Sequence, residues 1–269
     1  GAYRCLAQRA MIPSRIVLVG TGNVASHLAE ALGGRICAII SRDSGRAAEL
    51  AHKNNIDGYG DYAALRGYNP DLVIISVADH ALPGVAGAIG HLESEPLVLH
   101  TSGTVPKEVL AAISPRTGVL YPLQTFSRDV YVDMHTVPFF TEASVAADLA
   151  VVDSVANVIS DTVHHADASQ RQVLHIAGVF SSNFVNILLE MVHDILGEAD
   201  YPLATVRPLV EATVAKAFIA GPHAAQTGPA MRGDKAVMAK HAHALPDDKR
   251  RVYELLSQYI VKSQNVTLK

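Results

Sequence analysis

The sequence predicts an α/β protein: a doubly wound parallel sheet over residues 12–165, followed by an all-α region over 166–269. Three observations predict it. Short apolar runs of β-formers alternate with helical patterns through the first 165 residues, as in parallel βαβ units. Past that point the β signal stops, leaving helical periodicity and one Gly/Pro-rich loop. The first strand pattern breaks directly into Gly20-Thr21-Gly22, and a helix pattern follows at once.

Each element has its own signal. Ile16 to Val19 is the short apolar run of a strand buried on both faces. After the first helix, residues 35–41 (RICAIIS) read as the second strand. Residues 46–54 read as a helix, 58–60 as part of a turn and 61–66 as a brief helix. DLVIISV (71–77) and PLVLHTSG (96–103) are strands with a helix over 81–89 between them. Residues 118–126 and 136–142 read as two more strands, 144–159 as an apolar helix and 162–165 as a last short strand. From 167 to 196 runs one long helix, with Val173, Ile176, Phe180, Phe184, Ile187, Leu188, Met191 and Ile195 near helical spacing. Helices follow over about 203–220, 234–244 and 247–263, with the loop 221–234 among them. Residues 1–11 read as a disordered or loosely docked arm, with two arginines but no apolar signal core.

Bulk numbers exclude several classes. A formal charge of −4 and no basic run argue against nucleic-acid binding. Two cysteines, Cys5 and Cys37, make neither a disulfide framework nor a zinc spacing, so a reducing cytoplasm is expected. No apolar run in the sequence reaches membrane-spanning length, and no membrane partner is expected. The pairs His164-His165 and His241/His243 lack both i, i+4 spacing and a nearby acidic set, so no metal is expected.

The first loop carries chemistry. In Gly20-Thr21-Gly22-Asn23-Val24-Ala25, Gly20 permits a tight turn and Gly22 lets a pyrophosphate approach the backbone. Ala25 allows close packing of helix on strand, and the helix N-terminus presents free N–H groups to the anion. In an open parallel sheet, ligands lie at the carboxyl ends of the strands. That rule adds Ser41 and Arg42, Val77 to Asp79 (with Ala78), and Thr101 to Gly103. Where an NAD site would carry an acidic residue, the second strand ends in Ser41-Arg42-Asp43. A guanidinium is matched to a 2′-phosphate, so NADP is expected. A one-residue shift of the strand end would instead make Asp43 a ribose ligand.

Four polar clusters break the apolar background: HTSGT (100–104), YPLQTF (121–126), HIAGVFSSNFVN (175–186) and TGPAMRGD (227–234). Ser102 and Gly103 offer a hydroxyl and a backbone N–H to a carbonyl or carboxylate, or form an ordinary turn. On the long helix His175 is an acid/base candidate, Ser182 lies two turns along the same face, and Asn183 is an amide able to orient a carbonyl. Arg232 is a candidate carboxylate clamp; Asp234 is either a site residue or the N-cap of the next helix.

The order of domains is similar to that of the superfamily of 6-phosphogluconate and 3-hydroxyisobutyrate dehydrogenases, pyrroline-5-carboxylate reductase and ketopantoate reductase. More narrowly, GTGNVASHLAEAL, HTSGT, YPLQTF, HIAGVFSSNF and GPHAAQTGPAMRGD, in that order, resemble a bacterial family of Rossmann-like proteins whose C-terminal domain has long been labelled of unknown function. The resemblance covers nearly the whole chain beyond residue 12. It implies an N-terminal Rossmann domain, NADP and oxidoreductase chemistry of the CH–OH type; some members act as ketopantoate reductases. One departure matters. Hydroxyisobutyrate-type dehydrogenases carry a catalytic Lys on the long helix, in a G-x-x-x-K-x-x-N pattern. Counting from Gly178, that place is Ser182, and Asn186 falls one residue late.

The expectation is therefore an NADPH-dependent reductase of a small 2-oxo acid, with ketopantoate the named candidate. Its carbonyl would be held by Ser102, Asn183 and Arg232, with Thr101, Gly103, Gln124, Ser182 and Asp234 also on the substrate side. His175 or Lys216 would protonate the alkoxide. A homodimer through the helical domain is expected. Reduction of an imine, hydride exchange with a deazaflavin, and an NADP-binding sensor without turnover remain open.

Overall fold

The computed structural model of the chain describes residues 12–268; the expected N-terminal arm, residues 1–11, lies outside the described residues. The chain divides into two units, Gly1–Asn183 and Phe184–Lys269.

The first unit is an eight-stranded sheet. Its strands are β1 (Ile16–Val19), β2 (Ile36–Ile40), β3 (Gly58–Gly60), β4 (Leu72–Ile75), β5 (Leu97–His100), β6 (Thr117–Pro122), β7 (Phe139–Ala143) and β8 (Val163–His165), in the order β3-β2-β1-β4-β5-β6-β7-β8. Strand order reverses beside β1, and this switch point opens a crevice at the carboxyl ends. All neighbours are parallel except β6 and β7, which pair antiparallel with Tyr121 opposite Phe140. The sheet is thus mostly parallel, as the alternation of strands and helices predicts, with one antiparallel pair. β3 was expected as a turn: Gly-Tyr-Gly carries no apolar pattern, and only its backbone pairing with Ala38–Ile40 makes it a strand.

Alternation along each strand supplies two apolar faces. Ile16, Leu18, Leu72, Ile74, Leu97 and Leu99 point to one side, where α1 (Asn23–Leu32), α2 (Ser44–Lys53) and α4 (Ala146–Ile159) cover them. Val17, Val19, Val73, Ile75 and Val98 point to the other, under α3 (Leu82–Ile89) and the 3₁₀ turns Ala64–Tyr68 and Lys107–Leu110. Every one of these strand residues is essentially inaccessible to solvent. At about 25 cal/mol per Å² of apolar area removed from water, this two-sided burial dominates the stability of the sheet.

After β8, α5 (Ala168–Gly178) opens with a full capping box. Asp167 accepts from the Gln170 backbone, and the Gln170 side chain accepts from the Asp167 backbone. A π-turn, Val179–Asn183, follows. The composition switch expected at residue 166 falls where the sheet ends, but α5 and the π-turn belong to the first unit. Arg171 explains why. Its side chain is fully buried, paired with Glu142 of β7 and donating to the carbonyls of Ala166 and Val105.

The second unit contains α6 (Phe184–Gly197), α7 (Arg207–Ala220), two short helices α8 (Pro222–Ala225) and α9 (Pro229–Arg232), then α10 (Lys235–Ala244) and α11 (Asp247–Ser263). Lys249 of α11 pairs with Asp194 of α6 at 3.0 Å. Among its described residues only Ala230, Gly233 and Ser257 are buried. The helical stretch Ala168–Gly197 meets the length and composition needed to cross a membrane, with a mean hydropathy of 1.4, contrary to the sequence expectation. The polar cluster 181–183 hid that from a reading of contiguous apolar runs.

Candidate functional site

The first unit holds a cavity of about 1390 Å³ at the carboxyl ends of β1, β2, β4, β5 and β6, larger than an ordinary small-molecule pocket. Gly20 sets its floor. Its φ is +117°, and a Cβ there would stand 2.1 Å from the Ser76 carbonyl oxygen, so no other residue fits between β1 and β4. Gly22 is the N-cap of α1 and offers no side-chain cap, while a Cβ at this position would meet open space. The first turn of α1 is therefore left with backbone N–H groups facing an approachable backbone, which suits a pyrophosphate. Thr21, Asn23 and Val24 complete this wall.

The loop after β6 closes over the glycine loop by three side-chain bonds. Asn23 donates to the Phe126 carbonyl at 2.9 Å, His27 Nε2 to the Ser127 carbonyl at 3.1 Å, and Arg128 to the Thr21 carbonyl. The first of these occupies the Asn23 amide, so Asn23 shapes the cradle as well as lining it. Gln124, in the same loop, lines the cavity.

At the end of β2, Asp43 both lines the cavity and caps α2. Its carboxylate accepts from the backbone N–H groups of Gly45 (3.0 Å) and Arg46 (3.2 Å), capping α2. Ser41 and Arg42 line the cavity, and so does Arg46, one turn into α2 and missed by the sequence reading. The available signal was Arg42 and Arg46 flanking a capping Asp at a spacing of four.

From β4 come Val77, Ala78 and Asp79, whose carboxylate accepts from the Thr104 hydroxyl at 2.5 Å. From β5 comes Thr101, bonded to the Ser76 hydroxyl at 3.3 Å. The other two residues of that motif stand behind the wall. Ser102 is buried, and its Oγ accepts from the backbones of Thr104 and Val105, both at 3.0 Å. That is a hydroxyl stabilising its own turn. Gly103 packs under the ring of Tyr121, where a Cβ would lie 2.7 Å from Cζ. His100 is fully buried and accepts from the Ser102 N–H at its Nδ1, 3.1 Å away. Burial, reinforced by the Arg171 guanidinium, holds its pKa down to about 4, so it is neutral.

The far wall is the end of α5 and the π-turn. His175, Gly178, Val179, Ser181, Ser182 and Asn183 all line the cavity. A π-turn advances less per residue than an α-helix, which brings residues on both sides of the extra one to a common face; such turns recur at functional sites. Gly178 packs with its Cα side on Leu123. His175 Nδ1 lies 3.4 Å from the hydroxyl of Tyr121, a buried residue missed by the sequence reading although YPLQTF was singled out. Burial, and the nearby Asp79 carboxylate, push the Tyr121 pKa up.

Lys216, Arg232 and Asp234 belong to the second unit. Asp234 caps α10, accepting from the Val237 N–H at 3.0 Å.

Sheet order, glycine cradle and helical continuation define a Rossmann-type α/β protein with an all-α C-terminal region. Comparison with known proteins narrows this. Residues 137–260 match the model of a domain of unknown function, DUF2520. The crystal structure of "putative NADP oxidoreductase BF3122" from Bacteroides fragilis is 37% identical, covers 94% of this chain and 99% of its own, and superposes with a TM-score of 0.84. The chain belongs to the family of that protein. Protein TM1727 from Thermotoga maritima, at 21% identity, covers 93% of this chain and 98% of its own with a TM-score of 0.72. 1-Pyrroline-5-carboxylate reductase from Streptococcus pyogenes shares the fold at 13% identity, with a TM-score of 0.59 over 95% of this chain and 100% of its own. No curated protein matches the chain.

Proposed function

We propose that the chain is an NADPH-dependent reductase of a small 2-oxo acid, ketopantoate being the first compound to try. One observation carries the choice of cofactor. Arg42 and Arg46 line the cavity at the end of β2, on either side of Asp43, which lines it too and caps α2 through Oδ1. A 2′-phosphate would meet two guanidiniums there, a stronger match than a bare ribose 2′-OH would find in the one carboxylate between them. The relative from Bacteroides fragilis, described as an NADP oxidoreductase, supports the same reading.

When bound, the cofactor supplies a hydride. The chain's own groups do the rest. The N-terminus of α1 takes the pyrophosphate, and Thr101, Gln124, Ser182 and Asn183 offer neutral donors and acceptors to the substrate. His175 brings a titratable ring to the same cavity. The absence of a Lys at position 182 leaves the proton source to other groups in this wall.

A homodimer joined through the helical region belongs to this reading. Three buried residues do not make a core, and Ile187, Leu188, Leu209, Phe218 and Ile219 are exposed. A second copy covering these helices accounts for the apolar character of Ala168–Gly197 without a membrane. Two cysteines and no disulfide framework fit a cytoplasmic setting.

The cofactor assignment is tested by titrating NADPH and NADH into wild-type protein and the Arg42→Ala/Arg46→Ala double variant. NADPH should bind at least about tenfold more tightly than NADH, and the double variant should lose that preference through NADPH alone. Equal affinity for the two in wild-type protein would overturn it.

A further inference from the structure

We propose that Tyr121 is the proton donor of this reductase, with His175 as the group that returns its proton; the inference rests on the reductase reading above. Four features place the pair. β6 ends by carrying Tyr121 into the cavity wall with its side chain buried. Gly103 leaves room for the ring: a Cβ there would lie 2.7 Å from Tyr121 Cζ and 3.0 Å from its oxygen, so any side chain would drive the hydroxyl away. The hydroxyl stands 3.4 Å from His175 Nδ1, with the rings tilted at 51° and their centroids 6.5 Å apart. Hydrogen bonds of this kind are long before substrate is bound and shorten in the complex. Finally, the buried Arg171, one turn before His175, fixes that part of α5 to β7 through Glu142.

Three motifs thus meet at one point. HTSGT supplies the gap, YPLQTF the phenol and HIAGVF the imidazole. The place where related chemistry would use a Lys is filled by Ser182, whose hydroxyl carries no readily lost proton. Burial and Asp79 keep the Tyr121 phenol protonated at neutral pH, so it enters the reaction as a donor.

The step balances as follows. A hydride from the reduced nicotinamide bonds to the carbonyl carbon, and the C=O π pair moves onto oxygen. The Tyr121 O–H bond breaks and its proton goes to that oxygen, giving the alcohol. The phenolate oxygen takes the Nδ1 proton of His175 as the ring's Nε2 takes one from solvent, so the imidazole changes tautomer and stays neutral. One ketone, one hydride and one proton give one alcohol and the oxidised cofactor.

The experiment measures NADPH consumption with ketopantoate for wild type, Tyr121→Phe and His175→Gln, together with KM for ketopantoate and NADPH affinity. Expected is a loss in kcat of at least about 100-fold for Tyr121→Phe, with NADPH affinity held within about twofold. His175→Gln, at a half-exposed position, should fold and lose at least about tenfold in kcat. KM for ketopantoate should stay within about twofold of wild type in both variants, so that the loss falls on kcat. A Tyr121→Phe enzyme that keeps kcat within about threefold of wild type overturns the donor assignment and leaves the reductase reading standing. Should Tyr121→Phe not fold, unchanged kcat in His175→Gln overturns the relay by itself. Wild-type protein that binds NADPH but reduces neither ketopantoate nor other small 2-oxo acids overturns the reductase reading, and the donor with it.

Discussion

At the scale of single residues, the site is organised by groups that do not themselves line it. His100 and Gly103 stand behind the cavity wall and set what Thr101 and Tyr121 present. His100 also has a measurable consequence. Its folded pKa lies near 4, below the ordinary 6.5, first because burial disfavours the cation. The unfolded chain therefore takes up a proton below pH 6.5 that the folded chain refuses until about pH 4. The resulting stability is complete above 6.5 and is lost as pH falls between those two values. Chemical denaturation should accordingly find wild-type protein losing about 2 kcal/mol more than His100→Gln between about pH 7 and pH 4.5. Parallel losses in the two proteins would show that His100 carries no such term. This residue was not legible beforehand: HTSGT reads as a polar cluster, and nothing local reveals that its His is fully buried.

At the scale of elements, what could be read was whatever has a period or a fixed spacing. β1, β2, β4 and β5 are short apolar runs, and their ends came out within two residues except at the end of β5, which stops three residues before the expected Gly103. The glycine cradle was legible because Gly20 and Gly22 have stereochemical reasons to be glycine. β3 was not, since its pairing is made by neighbours and not by its own side chains. The antiparallel turn of β7 was not, because strand direction leaves no trace in a five-residue pattern. Nor was the π-turn, which inserts a residue into an otherwise regular helical spacing. Arg171 gave no warning either, because a buried cation needs Glu142, far away in sequence, to be tolerated. The helical faces of α6 and α7 were legible as apolar but not as exposed. They yield a prediction at this scale. Ile187→Asp, on the exposed face of α6, should convert a dimer to monomer or to unfolded chain in light scattering after size exclusion. A wild-type monomer at micromolar concentration would contradict the dimer.

At the scale of the whole molecule, a nucleotide cradle, a pair of arginines and a polar helix wall meet in one cavity within the first unit. The proposed substrate would bring a carbonyl to accept the hydride and small polar groups to meet Thr101, Gln124, Ser182 and Asn183, all of which line the cavity. The most direct test is the loss of NADPH absorbance when purified protein meets ketopantoate, with NADH run beside it. Turnover is expected with NADPH and little with NADH. Folded protein that binds NADPH tightly yet consumes none with ketopantoate or any small 2-oxo acid would contradict it, and would leave a protein that holds the nucleotide without using it.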